Sequence, residues 1–200
     1  MSGGRGMTGE AEEIILASAS PRRKELLERC GLSFRVLTAG VDEEPLPAEA
    51  PEAMVRRLAA SKAAAISSSF PHAWVIGADT TVVLNGEVLG KPRDAEDAAR
   101  MLGALQAGEH EVWGGIAVQH GARGLAREAA CVTRVRFAPL AMHEIALYIA
   151  SGEPMDKAGA YAIQGRGMQF VQSISGSYSN VVGLDVVVLL QMLRSMWAAV

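Results

Sequence analysis

A carboxylate stands in the middle of a long, mostly apolar stretch. Val75-Ile76-Gly77-Ala78-Asp79-Thr80-Thr81-Val82-Val83-Leu84 reads as a buried strand that admits one acid and two hydroxyls and then resumes. Burying an ionised carboxylate costs several kcal/mol unless a cation or hydrogen bonds compensate. Two readings of Asp79 are open at this level: the strand has ended and the acid caps a turn, or the acid is buried and partnered. The rest of the chain bears on the choice, because it places cations and further acids at the ends of other apolar segments.

Upstream, Ile14-Ile15-Leu16-Ala17 is a short apolar strand that runs through Ser18-Ala19-Ser20 to Pro21 and a helix over residues 22–30. Ser20 suits the N-cap, Pro21 the first helical position and Gly31 the residue past the end. Free backbone N–H groups at a helix start make an anion site. Arg22 and Arg23 add positive charge there, where the helix dipole makes cations mildly unfavourable. They are either solvated or placed for an anion, and the mismatch favours the second. Residues 34–37 form a second strand, followed by the acidic loop Gly40-Val41-Asp42-Glu43-Glu44-Pro45, whose carboxylates are solvated or gathered around a metal ion. A helix over 51–69 carries Val55, Leu58, Ala59 and Ile66 on one face. Lys62 lies on the same stripe, where its ammonium either snorkels to water or reaches a polar site at the edge of the core.

Downstream, Asn85-Gly86 between two apolar runs predicts a two-residue hairpin, and Gly90-Lys91-Pro92 ends its second arm. Gly86-x-x-x-Gly90-Lys91-Pro92 is not a phosphate-binding P-loop: it is one residue short, has Pro where Ser or Thr should hold the metal, and opens no helix directly. Asp94 caps a helix to about Leu105, with Ala98, Met101, Leu102 and Leu105 inward. Strands are expected over 111–119 and 129–137; the latter alternates Cys131, Thr133, Val135 and Phe137 against Val132, Arg134 and Arg136. A short helix follows over 142–150 with His143 exposed. Residues 151–165 form a glycine-rich loop holding Asp156, Lys157 and Gln164, of the kind that more often carries function than filler. Residues 173–180 read as a second polar loop, and 184–197 as an apolar, centrally packed helix.

Two hundred residues, half of them hydrophobic, support one globular domain over 12–200 behind a tail at 1–11. A net charge of −3 leaves no basic footprint for nucleic acid. No apolar run reaches the roughly 18 residues of a membrane span, and the first dozen residues lack a signal-peptide centre. Cys30 and Cys131 form no C-x-x-C pair and read as reduced core residues. A soluble cytoplasmic protein is the expectation.

If strand ends and loops meet on one side of a mixed sheet, they gather Arg22, Arg23, Lys62, Lys91 and Lys157 with Glu43, Asp79 and Asp156. No Ser-His or Cys-His pairing supports acyl chemistry, and four dispersed histidines fit a zinc hydrolase poorly. Cations that clamp phosphates, beside carboxylates that hold Mg²⁺ and steer a water, suit phosphoryl chemistry. Spacing alone supports binding or hydrolysis of a polyphosphate.

Leu16-Ala17-Ser18-Ala19-Ser20-Pro21-Arg22-Arg23, Gly77-Ala78-Asp79-Thr80, Gly90-Lys91-Pro92-Arg93-Asp94, and Asp156-Lys157-Ala158-Gly159-Ala160-Tyr161 with Ile163-Gln164-Gly165 resemble the Maf family of nucleoside triphosphate pyrophosphatases. The blocks come in the family's order, and the match spans about residues 14–193. The resemblance implies an α/β fold with a curved mixed sheet flanked by helices, two lobes around a cleft, similar to that of inosine triphosphate pyrophosphatases, and a homodimer. It implies conversion of a nucleoside triphosphate and water to monophosphate and pyrophosphate with Mg²⁺ or Mn²⁺. By motif, Asp79 is the general base, and Glu43, Lys62 and Lys91 match other active-site positions. Ser18, Ser20 and Arg23 match a phosphate-binding turn. Arg22, Thr80 and Gln164 match the subfamily that prefers dTTP and UTP, whereas the subfamily of 7-methyl-GTP pyrophosphatases typically has Trp, Gln and Glu at these positions. Glu43 and Asp79 with Asp156 are the expected metal ligands, and Lys157 a further phosphate contact. A purine or 7-methyl-GTP pyrophosphatase and a nucleotide sensor without turnover are the rival readings.

Overall fold

The computed structural model describes residues 12–38 and 40–199, so the expected tail over residues 1–11 lies outside the described residues. Seven strands form one mixed sheet: β1 (Ile14–Ala17), β2 (Arg35–Val36), β3 (Trp74–Leu84), β4 (Glu87–Leu89), β5 (Glu109–His120), β6 (Leu125–Phe137) and β7 (Val171–Ser175). The order is β2-β1-β3-β5-β6-β7, with β4 beside β3. β2, β1 and β3 run parallel and the remaining pairs antiparallel. Helices α1 (Pro21–Arg29), α2 (Pro51–Ser67), α3 (Ala95–Leu105), α4 (Met142–Ala150), α5 (Tyr178–Val182) and α6 (Val186–Trp197) flank it. The expected mixed α/β architecture is present.

β3 is the strand on which the site depends. One of its edges pairs with β5 from Val75 to Val83. Its other edge pairs with β1 up to Gly77 and with β4 only from Val82 onward. Between them, among the described residues, Ala78 to Thr81 have no strand on that side, and a crevice opens where β3 changes partners. Ligands in open α/β sheets settle at such switch points. The Asn85-Gly86 turn that brings β4 back has φ of 52° and 87°, the paired positive values a tight hairpin requires.

Period-two alternation explains how the interior divides. Ile14, Leu16, Trp74 and Ile76 pack on the α6 side, with Leu189, Met192 and Leu193. Ile15, Ala17 and Val75 pack on the α2 side, with Ala59 and Ala63. A third cluster joins the far half of β3 to α3 and α4 through Val82, Leu102, Ile145 and Phe137. Two glycines let α2 lie directly on the sheet backbone. A Cβ on Gly77 would sit 2.1 Å from the Ala59 carbonyl oxygen, and one on Gly115 would sit 2.0 Å from that of Val55. Gly115 is the residue paired with Asp79. Both glycines and Asp79 share a face, so their missing side chains bring Lys62 of α2 down to the acid.

The structure corrects several expectations. Residues 173–180 are not one loop. Ser173 to Ser175 finish the edge strand β7, whose polar residues are solvated, and Tyr178 to Val182 form α5, capped by Ser177. Cys30 is exposed, because it falls at the C-cap of α1 beyond its packed face. β2 shrinks to two residues, while β5 and β6 extend beyond the predicted strands to meet each other along their length. Residues 151–165 break into short 3₁₀ turns. Among the described residues no helix is long and apolar enough to cross a membrane.

Replacing Gly77 by Ala should destabilise the protein by about 1–3 kcal/mol or more, since helix backbone and not a flexible side chain meets the new methyl. Urea unfolding measures it, and an unchanged midpoint would contradict the close approach.

Candidate active site

Asp79 lies within β3, only 7% exposed, which settles the choice between cap and buried acid. Its Oδ1 accepts from Lys62 Nζ at 2.7 Å, and the same ammonium stands 2.7 Å from Glu43 Oε1. Lys62 is itself buried, so the lysine on the apolar stripe of α2 bridges two carboxylates and does not snorkel. Burial pushes the Glu43 carboxyl up. Lys62, through a hydrogen bond and its charge, and then Lys91 and Arg23 more than offset this, leaving it below the usual glutamate value. The arrangement keeps Glu43 ionised beside a cleft.

That cleft has a volume of about 340 Å³ and draws on every segment singled out above. The turn after β1 contributes Ser18 and Ser20, and the start of α1 contributes Arg22 and Arg23. The acidic loop supplies Glu43, α2 supplies Lys62, and the stretch of β3 that is open on one edge supplies Asp79 and Thr80. Lys91 enters after the hairpin, and the segment following α4 brings Asp156, Lys157 and Gln164. Five cations face three acids, so the cleft is positive on a chain whose net charge is −3. Such a cleft focuses anions. Tyr161, quoted above only as the end of a motif, and Val182, which gave no sequence signal, supply apolar wall.

Two details differ from expectation. Ser20 occupies the N-cap of α1, but its side chain caps no backbone N–H. Arg23 is buried, and its guanidinium is largely spent on the protein. Nε donates to the Gly183 carbonyl at 2.9 Å, Nη1 to Ser18 Oγ at 3.0 Å and the Ala78 carbonyl at 2.9 Å, and Nη2 to Thr80 Oγ1 at 3.2 Å. Arg23 thus grips the residues on either side of Asp79 and ties them to the turn before α6. Thr80 Oγ1 donates in turn to the Gly183 carbonyl at 3.0 Å. Gly183 itself gave no sequence signal, because its contribution is a backbone oxygen.

The three carboxylates do not converge. Asp156 is exposed, bonded to Lys157 and 3.7 Å from Arg22. Burial pushes its carboxyl up, and Lys157 and Arg22 draw it down below the ordinary aspartate value. Among the described residues no three His, Cys, Asp or Glu side chains group as a metal site. Glu43 and Asp79 alone meet, on Lys62. Two carboxylates still fit a hard divalent cation, since Mg²⁺ is commonly held by one or two carboxylates together with substrate phosphates.

An α/β protein with a cationic crevice at a strand switch point, floored by an ion-paired carboxylate, belongs to the class built to take phosphorylated ligands. The chain belongs to the Maf-like protein family, whose model matches residues 13–196. It is 53% identical to a dTTP/UTP pyrophosphatase of Pelotomaculum thermopropionicum, over 92% of this chain and 96% of that one. It is 50% identical to a dTTP/UTP pyrophosphatase of Geobacter metallireducens, over 94% and 98%. A solved nucleoside-triphosphatase, the dITP/XTP pyrophosphatase of Mycobacterium abscessus, aligns over 94% of this chain and 98% of its own, with 12% identity and a TM-score of 0.44, too distant to bear on fold or chemistry.

Lys62→Met should leave Asp79 buried without its cation and cost about 3–5 kcal/mol of stability. Adding Asp79→Asn to that variant should restore part of the loss, because the uncompensated charge goes. Chemical denaturation of the two single variants and the double variant measures the coupling; strict additivity would mean the pair does not act as one.

Proposed function

We propose that the cleft binds a pyrimidine nucleoside triphosphate, dTTP or UTP, and hydrolyses it to the monophosphate and pyrophosphate, with a role in cleansing the nucleotide pool. The observation that carries the reading is the Asp79 carboxylate, ion-paired to a buried lysine at the floor of a cationic cleft. The relatives named dTTP/UTP pyrophosphatase over nearly their whole length support the substrate class.

Asp79 Oδ1 is occupied by Lys62, while Oδ2 has no protein hydrogen bond among the described residues. We assign Oδ2 the proton of a water that attacks the α-phosphorus in line with the departing pyrophosphate. Lys62, bonded to Oδ1, holds the carboxylate oriented for that task. Lys91, Lys157 and Arg22 neutralise charge on the leaving pyrophosphate, and Ser18 and Ser20 offer hydroxyls to its oxygens. Arg23 keeps Thr80 and the backbone beside Asp79 in register. Gln164, which can both donate and accept, reads the pyrimidine edge. Glu43 and Asp79 would hold Mg²⁺ or Mn²⁺, which when bound supplies Lewis-acid polarisation of a phosphoryl oxygen. Asp156 serves Lys157 and Arg22 and is not a ligand in this scheme. The family resemblance further supports one catalytic domain over 12–200, acting as a cytoplasmic homodimer without nucleic acid.

Pyrophosphate release with Mg²⁺ across a panel of nucleoside triphosphates tests the proposal. Release should be fastest from dTTP and UTP and fall by about 10²–10⁴ in Asp79→Asn. Binding without release in the wild type would make the protein a sensor, and preference for 7-methyl-GTP would overturn the substrate assignment.

A further inference from the structure

Glu153 lies outside the cleft, yet its carboxylate organises the segment that carries Gln164. Oε2 accepts from the backbone N–H of Arg166 at 3.0 Å, and Oε1 from that of Gly167 at 3.1 Å and from the Tyr148 hydroxyl at 3.0 Å. The Tyr148 oxygen accepts in turn from the Ala162 N–H at 3.2 Å. Residues 162 to 167 are therefore pinned at both ends by one Glu–Tyr pair, with Gln164 between the pins.

The backbone agrees. Gly165 has φ of +70°, and a Cβ there would lie 2.7 Å from Glu153 Oε2; one on Gly167 would lie 2.3 Å from the Ala162 carbonyl oxygen. The segment doubles back closely enough that glycine is required at both places. Tyr148 is buried, so this anchor does not move with solvent. Burial pushes the Glu153 carboxyl up, but the two backbone donors, Tyr148 and Lys157 together hold it below the ordinary glutamate value. Only a carboxylate fits these three donors: a glutamine would turn an N–H₂ toward a backbone N–H.

We propose that Glu153, acting with Tyr148, is a positioning residue for base selection: it fixes the backbone on both sides of Gln164, and with it the point from which the Gln164 side chain reaches the base. The proposal rests on the reading of the cleft as a pyrimidine nucleoside triphosphate site. A side chain held at one point meets the edges of a purine and a pyrimidine at different distances, whereas one on a loose segment accommodates both, so only the held one discriminates. The phosphate side is held separately, since Lys157 Nζ bonds to the Glu153 backbone carbonyl at 3.1 Å, which no side-chain substitution removes.

The test is kcat/KM for dTTP and for GTP in the wild type, Glu153→Gln, Tyr148→Phe, Gln164→Ala and the Glu153→Gln/Gln164→Ala double variant, with melting temperatures for each. Glu153→Gln and Tyr148→Phe should lower the dTTP-to-GTP ratio by about tenfold, mainly through KM for dTTP. With Gln164 already gone, adding Glu153→Gln should leave the ratio unchanged. Uniform loss of activity toward both substrates at constant ratio would overturn the proposal, as would an equal fall in ratio without Gln164. If Glu153→Gln does not fold, Tyr148→Phe decides, because it keeps the carboxylate with its two backbone donors and removes the hydroxyl's bonds to Ala162 N–H and to Glu153. A wild type that hydrolyses neither substrate, or does not prefer dTTP, overturns the functional reading and this inference with it.

Discussion

The ion pair between Lys62 and Asp79 is the interaction on which the site depends. A carboxylate inside a sheet must be neutralised where it stands, and the neutralising group must come from a different element. α2 supplies it, and can do so only because Gly77 and Gly115 let the helix rest on the backbone of β3 and β5. The packing of an apolar helix and the charge state of an acid are thus one problem with one solution. Glu43 then joins the same ammonium from the acidic loop, which brings a second carboxylate to the cleft.

Around this pair the cationic side chains divide their labour. Lys91, Lys157 and Arg22 face the cleft with charge to offer a ligand. Arg23 is turned inward and holds the Ser18 turn, the two neighbours of Asp79 and Gly183 in one hydrogen-bonded knot. Arginine suits that position because its planar fork reaches several fixed acceptors at once, which a lysine cannot do. Removing the fork would take this donor from the Ala78 carbonyl and leave the Gly183 carbonyl with Thr80 alone, so rigidity here is enforced by the cost of losing it.

Much of this was legible in the residues. Asp79 announced itself by breaking an apolar run, Lys62 by lying on an apolar stripe, and Arg22 and Arg23 by sitting at a helix start that does not favour them. The hairpin at Asn85-Gly86 and the Asp94 cap followed from turn and cap chemistry. The residues that were missed act through backbone or through other residues. Gly183 offers a carbonyl, Glu153 touches only its own neighbourhood, and β7 is an edge strand whose polar face reads like a loop. Gly114-Gly115 inside a strand was a usable sign of close approach: a Cβ on Gly114 would lie 2.0 Å from Asn180 Oδ1 on the opposite face. Asp156 was grouped with the other acids because strand ends and loops were expected to meet on one side of the sheet, but its short side chain is drawn to adjacent cations and not to Glu43 and Asp79.

The site of water attack decides the mechanism. Hydrolysis of dTTP in ¹⁸O-labelled water, followed by mass spectrometry of both products, reads this directly. Attack at the α-phosphorus predicts one labelled oxygen in the monophosphate and none in the pyrophosphate. Label in the pyrophosphate, or release of inorganic phosphate with a nucleoside diphosphate, would contradict the placing of Asp79 and its water beside the α-phosphoryl group.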